Sequence, residues 1–303
     1  MKVLCFGSLN IDYTYKVDHF VKKGETLSAE SLQVFCGGKG LNQSIALAKA
    51  GVDTCHAGAV GEDGVFLLEE LQKAKVDTGC VAVRQDVRTG NAIIQNDREG
   101  DNCILLYGGA NQAITKEQVD TVLEHFVSGD FLMLQNEINE IPYIMEQAHR
   151  KGMKIVLNPS PMNEKIFHLP LETVDYFLLN EVEAGQILGE TKENETDKAK
   201  LARALLDKFP KAAIVLTMGG DGAVYMDPKE TIIQPVYKVH TVDTTAAGDT
   251  FAGYFIGGLL RGDCVRKAMD MASRAAAIAV TRQGAAPSIP LLSEVEQFTG
   301  ETS

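Results

Sequence analysis

The sequence lacks the cysteine and histidine patterns that mark metal sites and disulfide frameworks. No two of its six cysteines form a CxxC pair, and its six histidines are scattered without an HExxH motif. These absences exclude a zinc enzyme and a disulfide-stabilised secreted domain. We expect six reduced thiols, most of them buried.

Long apolar segments and an excess of positive charge are also missing. The apolar start is interrupted by Gly7, Asn10 and Asp12, and no stretch approaches the roughly 18 uninterrupted apolar residues of a membrane span. Lys and Arg total 29 against 41 Asp and Glu, a net charge of −12, which argues against binding to nucleic acid or anionic membranes. We expect a cytoplasmic protein with no nucleic-acid or membrane partner.

Nothing in the 303 residues marks a domain boundary. There is no shift in composition and no linker rich in Pro or Ser, and the hydrophobic (45%) and charged (23%) fractions are those of an ordinary globular chain. We therefore expect one domain over residues 1–303, with a large core and a small appendage.

Short apolar runs alternate with amphipathic stretches in the middle of the chain. The runs occupy 131–135, 154–158, 176–180 and 212–218, and helical stretches lie near 140–151, 181–188 and 196–208. Strands that are apolar on both faces and separated by helices indicate a parallel sheet covered on both sides. The pattern predicts an α/β body.

Two other segments have a different pattern. Polar and apolar residues alternate over about 12–35 and 90–107, with turn signals from Asp97 to Gly100, which predicts antiparallel strands with one solvent-exposed face. Such strands, inserted into an α/β body, would form a small lid sheet. Further helices are predicted at 41–50, 64–75, 248–260 and about 263–280.

The segment VDTTAAGDTF at 242–251 carries the sharpest local signal. Small residues entering a helix leave backbone N–H groups open to an anion, which the helix dipole also favours. Asp249 follows in the first turn, where a carboxylate suits a general base that takes a proton from an attacking alcohol. The alternative is that Asp249 only favours the helix dipole and that Asp243 or Thr244 caps the turn.

A glycine-rich turn, CGGKGLNQ at 36–43, precedes the helix predicted at 41–50. Three glycines in four residues allow a ligand to approach the backbone, and Lys39 and Asn42 add donors. The turn is not a P-loop, because Gln33 stands where the first glycine is required and Gly40 follows Lys39. A tight strand-to-helix connection with a surface lysine is the alternative.

Polar side chains follow four of the predicted strands. Asn10 and Asp12, two residues apart, come after the first strand, and their alternative is an ordinary Asx turn. The later strand ends carry Glu137, Asn158 and the segment 180–183. Ligands bind beyond the carboxyl ends of strands in open α/β sheets, so the pattern predicts a polar cleft along one edge of the sheet.

Taken in order, these motifs resemble the ribokinase family of carbohydrate kinases. The resemblance runs from GSLNID at 7–12 to GAAPSIP at 284–290, and GGKGLNQ with DTTAAGDTF is its most specific part. It implies an α/β fold with a central, mostly parallel sheet, helices on both faces and a small β-sheet lid.

The resemblance also implies roles for individual residues. Sugar hydroxyls would be held by Asn10, Asp12, Gly38, Lys39, Gly40, Asn42 and Glu137. Ala246, Ala247 and Gly248 would form the anion hole, and Asp249 would be the catalytic base. The nucleotide and Mg²⁺ would be met by Asn180, Glu183, Thr217, Gly219, Gly220, Gly222, Gly248 and Ser273. A potassium ion would be held by Asp243, Thr245, Ala279, Arg282, Gly284 and Ser288.

The implied activity is transfer of a phosphoryl group from ATP to the primary hydroxyl of D-ribose, giving ribose 5-phosphate. Another sugar, such as fructose or 2-deoxyribose, or a nucleoside is the alternative within the same fold. A non-catalytic sugar-binding regulator is the alternative from a different class. Because a lid of a few strands has an apolar face with little of its own chain to cover it, the resemblance also implies a homodimer formed through the lid.

Overall fold

The computed structural model describes residues 1–99, 101–189 and 198–302. Its strands are Val3–Phe6 (β1), Asn10–Lys16 (β2), Ser31–Gly37 (β3), Thr54–Gly61 (β4), Asp77–Arg84 (β5), Gly90–Asn96 (β6), Asn102–Tyr107 (β7), Phe131–Gln135 (β8), Lys154–Asn158 (β9), Tyr176–Asn180 (β10), Ala213–Thr217 (β11), Ala223–Met226 (β12) and Thr231–Gln234 (β13). Its helices are Lys39–Lys49 (α1), Val65–Lys73 (α2), Lys116–Leu123 (α3), Ile141–Lys151 (α4), Glu181–Leu188 (α5), Lys198–Lys208 (α6), Ala247–Leu260 (α7), Val265–Ala279 (α8) and Leu292–Gln297 (α9).

The larger sheet has the strand order β13-β12-β11-β10-β9-β8-β1-β4-β5. Its strands are parallel from β11 to β5, and the hairpin β12–β13 adds an antiparallel edge. Alternate residues of β8 enter two different cores, Leu132 and Leu134 on one face and Phe131 and Met133 on the other. Both faces are therefore buried, and the predicted α/β class is confirmed.

Four parallel strands of the larger sheet were predicted almost to the residue. The predicted runs at 131–135, 154–158 and 176–180 coincide with β8, β9 and β10, and the run at 212–218 contains β11. The helix predicted from 196 is described from Lys198, because residues 196–197 lie outside the described part.

The sequence pattern missed β4, β5 and the edge hairpin β12–β13 of the larger sheet. β4 reads TCHAGAVG and is buried throughout, but alanine and glycine have weak strand propensity. Small residues are needed there because β4 runs close to its neighbours. A Cβ built on Gly58 would lie 2.6 Å from the carbonyl oxygen of Gly7.

The smaller sheet is the lid, with strand order β3-β2-β6-β7. The prediction of an antiparallel lid is wrong for its central pair, since β2 and β6 run parallel. Each follows a strand of the parallel main sheet, β1 or β5, after a short connection, so both leave that sheet in the same direction. The first pair of lid strands, β2 and β3, spans Asn10 to Gly37, which is wider than the predicted 12–35. Gly100, in the turn predicted between the other two strands, lies outside the described residues.

The cysteines are less buried than expected. All six cysteines are free, as predicted, but only Cys5 and Cys55 are buried, while Cys103 and Cys264 are exposed. Within the described residues, no helix is long and apolar enough to cross a membrane.

Candidate active site

Two cavities meet at the carboxyl end of the larger sheet. The first cavity, about 220 Å³, lies beyond Asn158, Asn180 and Thr217, the last residues of β9, β10 and β11. The second cavity, about 410 Å³, lies beside the loop after β11. Both are lined by Thr217, Thr244, Ala247, Gly248 and Phe251. This is the edge at which α/β sheets bind ligands.

Helix α7 begins between the two cavities. Ala246, which precedes it, has a φ of 59°, a left-handed conformation that turns the chain into the helix. Backbone N–H groups in a first helical turn have no intrahelical acceptor, and the helix dipole favours an anion there. A Cβ built on Gly248 would meet nothing within 4 Å, so this turn faces open space. The helix start has room for phosphate oxygens.

The Asp249 carboxylate lies in this first turn and is only 7% exposed. Its Oδ2 accepts a hydrogen bond from Asn42 Nδ2 at 3.1 Å, and its Oδ1 accepts one from Gln43 Nε2 at 2.8 Å. Lys39 lines the first cavity with it. Burial by itself lowers the pKa of Lys39, but the charges of Asp249 and Glu137 raise it overall, which keeps the lysine cationic beside the carboxylate.

Glu137 joins the turn after β1 to the glycine-rich turn before α1. Its Oε2 accepts hydrogen bonds from the Lys39 backbone N–H at 3.0 Å and from Ser8 Oγ. Ser8 Oγ in turn accepts from the Gly40 N–H at 3.3 Å. Burial raises the pKa of Glu137. The structure thus brings together Glu137 and Lys39, two of the residues expected at the sugar.

Asn10 and Asp12 do not end a main-sheet strand; they lie in β2 at the base of the lid. Asn10 Oδ1 accepts from Asn111 Nδ2 at 2.7 Å, which fixes its amide. A Cβ on Gly37, in the neighbouring strand β3, would lie 2.0 Å from Asp12 Oδ2, so glycine is required there for the carboxylate to fit. Burial, with a smaller contribution from the charge of Glu137, raises the pKa of Asp12 to about 7.

The second cavity contains the segments expected to meet a nucleotide. Thr217, Gly219, Gly220, Gly222 and Ser273 all line it. Its other walls include apolar side chains of the β13–α7 connection and of α8, namely Val236, Val239, Ala276, Ala277 and Val280. A wall of apolar side chains on one side and glycine backbone on the other suits a flat ring that carries a phosphate chain.

Asn180 and Glu183 form a capping box at the start of α5. Asn180 Oδ1 accepts from the Glu183 N–H at 2.9 Å, and Glu183 Oε2 accepts from the Asn180 N–H at 3.0 Å. Both residues line the first cavity. One Glu183 oxygen is engaged with the backbone, which leaves its other oxygen for a metal-bound water. Such a donor fits Mg²⁺, which keeps several of its waters.

Asp243 connects the start of α7 to the loop between α8 and α9. Its Oδ1 accepts from Thr245 N at 2.9 Å and Thr245 Oγ1 at 2.6 Å, while its Oδ2 accepts from Gly284 N at 2.9 Å. Although burial alone would raise it, these hydrogen bonds hold the pKa of Asp243 below its usual range. An ionised carboxylate beside backbone carbonyls is a donor set that fits a monovalent cation.

Arg282 approaches the same segment. Its guanidinium donates to the Ser288 carbonyl at 3.5 Å and pairs with Glu294. Its backbone N–H donates to the Ala279 carbonyl at 3.0 Å. The structure thus places all six residues expected at the cation site on two adjoining segments. Among the described residues, no group of three or more His, Cys, Asp and Glu side chains is arranged to hold a metal ion.

A comparison with known proteins identifies the family. The model of the pfkB family of carbohydrate kinases matches residues 1–292. The chain belongs to this family. A ribokinase of Staphylococcus aureus is 37% identical over 303 residues, covering 98% of this chain and 99% of that protein. A deoxyribokinase of Salmonella typhi is 30% identical over 303 residues, covering 98% and 97% of the two chains.

The fold agrees with this assignment. The solved structure of Arabidopsis thaliana ribokinase complexed with ribose and ATP has a TM-score of 0.85 and 26% identity, covering 98% of this chain and 99% of that one. The family resemblance inferred from the two motifs is confirmed, and so is the expected enzyme class. This pfkB-family chain is a sugar kinase, a phosphotransferase.

Sequence reasoning missed several polar residues around the site of this carbohydrate kinase. Ser8, Gln43, Asn111 and Gln135 are buried, and each holds one of the expected residues or another member of this group. Ser8 and Gln43 lie inside the quoted motifs, so their positions were noted without a role. Asn111 and Gln135 were given no role, because only the fold brings them to the site.

Proposed function

We propose that this carbohydrate kinase transfers the γ-phosphoryl group of ATP to the primary hydroxyl of D-ribose, giving ribose 5-phosphate. The observation that carries the proposal is the position of Asp249. Its carboxylate lies at the start of α7, where a cavity lined by Lys39 adjoins one lined by the glycine loop 219–222. An alcohol held beside Lys39 and Asp249 would be adjacent to a phosphate at the helix start.

In this proposal, Asp249 accepts the proton of the sugar hydroxyl as its oxygen attacks phosphorus. The backbone N–H groups at Ala246, Ala247 and Gly248 would stabilise the negative charge on the phosphoryl oxygens, because the turn into α7 already orients them. The Ala247 N–H would share its hydrogen bond with the Thr244 carbonyl, which it contacts at 3.2 Å. The lid, whose strand β2 carries Asn10 and Asp12, would cover the bound sugar and exclude water that would otherwise hydrolyse the nucleotide.

The sugar would be held by groups from both the lid and the main body: Asn10, Asp12, Gly38, Lys39, Gly40, Asn42 and Glu137. Asn42 Oδ1 is buried and has no partner, and an unpaired buried acceptor favours a ligand hydroxyl. Sites built to pair with several hydroxyls discriminate strongly against analogues that lack one.

The nucleotide side would use Asn180, Glu183, Thr217, Gly219, Gly220, Gly222, Gly248 and Ser273. Mg²⁺ would be held near Glu183 through water and would neutralise phosphate charge when bound. A potassium ion would be held by Asp243, Thr245, Ala279, Arg282, Gly284 and Ser288, where it would fix the segments on either side of the helix start.

A second candidate substrate is 2-deoxyribose, which the 30% identity to a deoxyribokinase favours. A panel of ribose, 2-deoxyribose, fructose and nucleosides, with ADP formation as the readout, separates these cases. We expect the highest kcat/KM with ribose. A higher value with 2-deoxyribose or a nucleoside would replace ribose as the substrate without changing the reaction.

The role of Asp249 as the general base can be tested by substitution. Asp249→Asn keeps the shape of the side chain but removes its basicity, so kcat should fall by at least about 10²-fold, the lower end of general-base contributions. Calorimetric binding of ribose and ATP should persist, which distinguishes lost chemistry from lost folding. Turnover within a few-fold of the parent would remove Asp249 from the mechanism. Absence of turnover by the parent itself, with ribose binding intact, would favour the sugar-binding regulator.

A further inference from the structure

We propose that Gln43 and Gln135 are positioning residues for Asp249, forming a buried amide relay that sets the direction of its carboxylate. The relay runs from the centre of the sheet to the catalytic aspartate: Gln135 Nε2 donates to Gln43 Oε1 at 2.5 Å, and Gln43 Nε2 donates to Asp249 Oδ1 at 2.8 Å. The inference rests on the role proposed above for Asp249.

The relay is enclosed by the fold. Gln43 and Gln135 have no exposed surface, and they come from different elements, α1 and the end of β8. A Cβ on Gly7 would lie 2.2 Å from Gln135 Oε1, so the glycine after β1 leaves the space that this amide fills. Gln135 Nε2 also lies 3.6 Å from Cys5 Sγ. Apolar side chains would fill the same volume without the cost of burying two amides. The presence of two buried glutamines therefore indicates a role for their amide groups.

The order of the relay fixes the orientation of each amide. A carboxylate only accepts hydrogen bonds, so the Gln43 nitrogen must face Asp249 and its oxygen must face away. Gln135 then supplies a donor to that oxygen. If Gln135 could not donate, the Gln43 amide would lose the contact that opposes its rotation. Gln135 therefore acts on Asp249 through Gln43 and without touching it.

The effect of the relay is to hold one oxygen of the base while Asn42 holds the other. Each carboxylate oxygen accepts about two hydrogen bonds, so each keeps a free acceptor site beside the first cavity, which Asp249 lines. Lys39 lies on the same cavity and attracts Asp249, and a carboxylate free to rotate would turn toward this cation. The relay keeps the base aligned with the attacking hydroxyl, which affects the transition state more than binding.

The test is a cycle of Gln43→Met, Gln135→Met and the double variant, because methionine keeps the length of the side chain but cannot donate as an amide does. For Gln43→Met we expect kcat to fall roughly ten- to hundredfold, the range for losing a hydrogen bond to a charged group, with KM for ribose and ATP within about twofold of the parent. For Gln135→Met we expect a smaller loss in kcat. The double variant should match Gln43→Met, since the second change cuts a relay that is already broken.

A pH profile adds a readout that a purely structural role would not move. In Gln43→Met the carboxylate loses a donor, which favours its protonated form, so the acidic limb of kcat should move to higher pH in that variant. Gln135→Met keeps this donor and only loosens it, so its limb should move less. Lys39, Glu137 and Cys5 interact electrostatically with Asp249, and Glu183 lines the same cavity; the substitutions leave all four side chains in place. Ser44→Ala is the matched control. Ser44 is a buried residue of α1 that contacts His56 Nδ1 at 2.7 Å and makes no hydrogen bond to Asp249, so this variant should lose thermal stability while keeping kcat and its profile.

Three results would overturn the inference: additive losses in the double variant, losses confined to KM, or a loss of kcat in Ser44→Ala equal to that in the glutamine variants. If Gln43→Met does not fold, Gln135→Met decides, because it leaves the Gln43–Asp249 contact in place. An inactive Asp249→Asn beside fully active glutamine variants would reject the relay and keep the proposed base. An active Asp249→Asn would reject the base itself.

Discussion

At the scale of single residues, Asp12 links the lid to the pH dependence of the reaction. Its carboxylate is half-buried beside Glu137, and burial raises its pKa to about 7. Two neighbouring acidic groups cannot both lose protons easily in a low-dielectric site. Below about pH 7 the free enzyme carries Asp12 protonated, with fewer acceptors for sugar hydroxyls.

We therefore predict that kcat/KM for ribose declines as the pH falls through about 7, while kcat at saturating ribose changes less. The limb in kcat/KM reports groups of the free enzyme, and bound sugar would hold Asp12 in its charged form. In Asp12→Asn the limb should disappear, at a lower kcat/KM throughout. An unchanged limb in this variant would assign the titration to another group.

The Asp12 carboxylate should also make the stability of the folded protein fall as the pH rises, whereas kcat/KM should increase with pH. Because its pKa is raised on folding, the stability that it contributes is present below its unfolded value near 4 and is lost as the pH rises through about 7. Asp12→Asn should therefore raise the Tm of the ligand-free enzyme at about pH 8 and leave it nearly unchanged at about pH 4. A Tm difference that is independent of pH would show that packing, and not ionisation, separates the two proteins.

At the scale of elements, the start of α7 depends on a partner segment distant in sequence. Asp243 receives hydrogen bonds from Thr245 on its own segment and from Gly284 on the other, so the two segments hold their conformations together. A cation bound among their carbonyls would never touch the sugar. It would stabilise the conformation that aligns the N–H groups at Gly248.

We predict that potassium raises kcat more than it lowers KM. Aligned N–H groups matter most for the charge of the transition state, and a cage of carbonyls spaced for a larger ion coordinates sodium poorly. Replacing potassium with sodium or tetramethylammonium at constant ionic strength should reduce kcat several-fold, and Asp243→Asn should abolish the difference. If kcat does not respond to potassium, the site is absent or is served by the Arg282 guanidinium, which already contacts the Ser288 carbonyl.

Parallel strands with large apolar side chains were predictable from the sequence, whereas the small-residue strand β4 and the short edge hairpin β12–β13 were not. β8 and β9, rich in Leu, Ile and Val, could be recognised from burial on both faces, whereas β4, with two Ala and two Gly in eight residues, could not. The motifs predicted Asp249 beside a helix start, but not that Gln43 would contact it. A buried amide on a helix gives no pattern, because its partner is chosen by the fold.

At the scale of the whole molecule, the lid leaves much of its apolar surface exposed to solvent in the isolated chain. β7 is exposed along its entire length, and β3 is exposed over most of its residues. Apolar side chains on these strands face solvent, including Leu32, Val34, Ile104, Leu105 and Leu106. A four-stranded sheet with so much uncovered apolar surface is typical of an interaction site, and a second copy of the same sheet would cover it with a matching face.

We predict a homodimer formed through the lids at micromolar concentration, with a light-scattering mass about twice the 32.8 kDa of one chain. Leu105 lies on β7 and is 68% exposed. A lysine at this position would remain solvated in a monomer but would bury a charge in an apolar interface, so Leu105→Lys should give a mass near that of one chain. Asp12 at the base of the lid would then be held less firmly, and KM for ribose should rise more than KM for ATP. Ile233→Lys is the matched control, because Ile233 is 64% exposed on β13 at the edge of the other sheet and should leave the mass and both KM values unchanged. A parent mass of one chain, or a dimer that survives Leu105→Lys but not Ile233→Lys, would move the interface away from the lid.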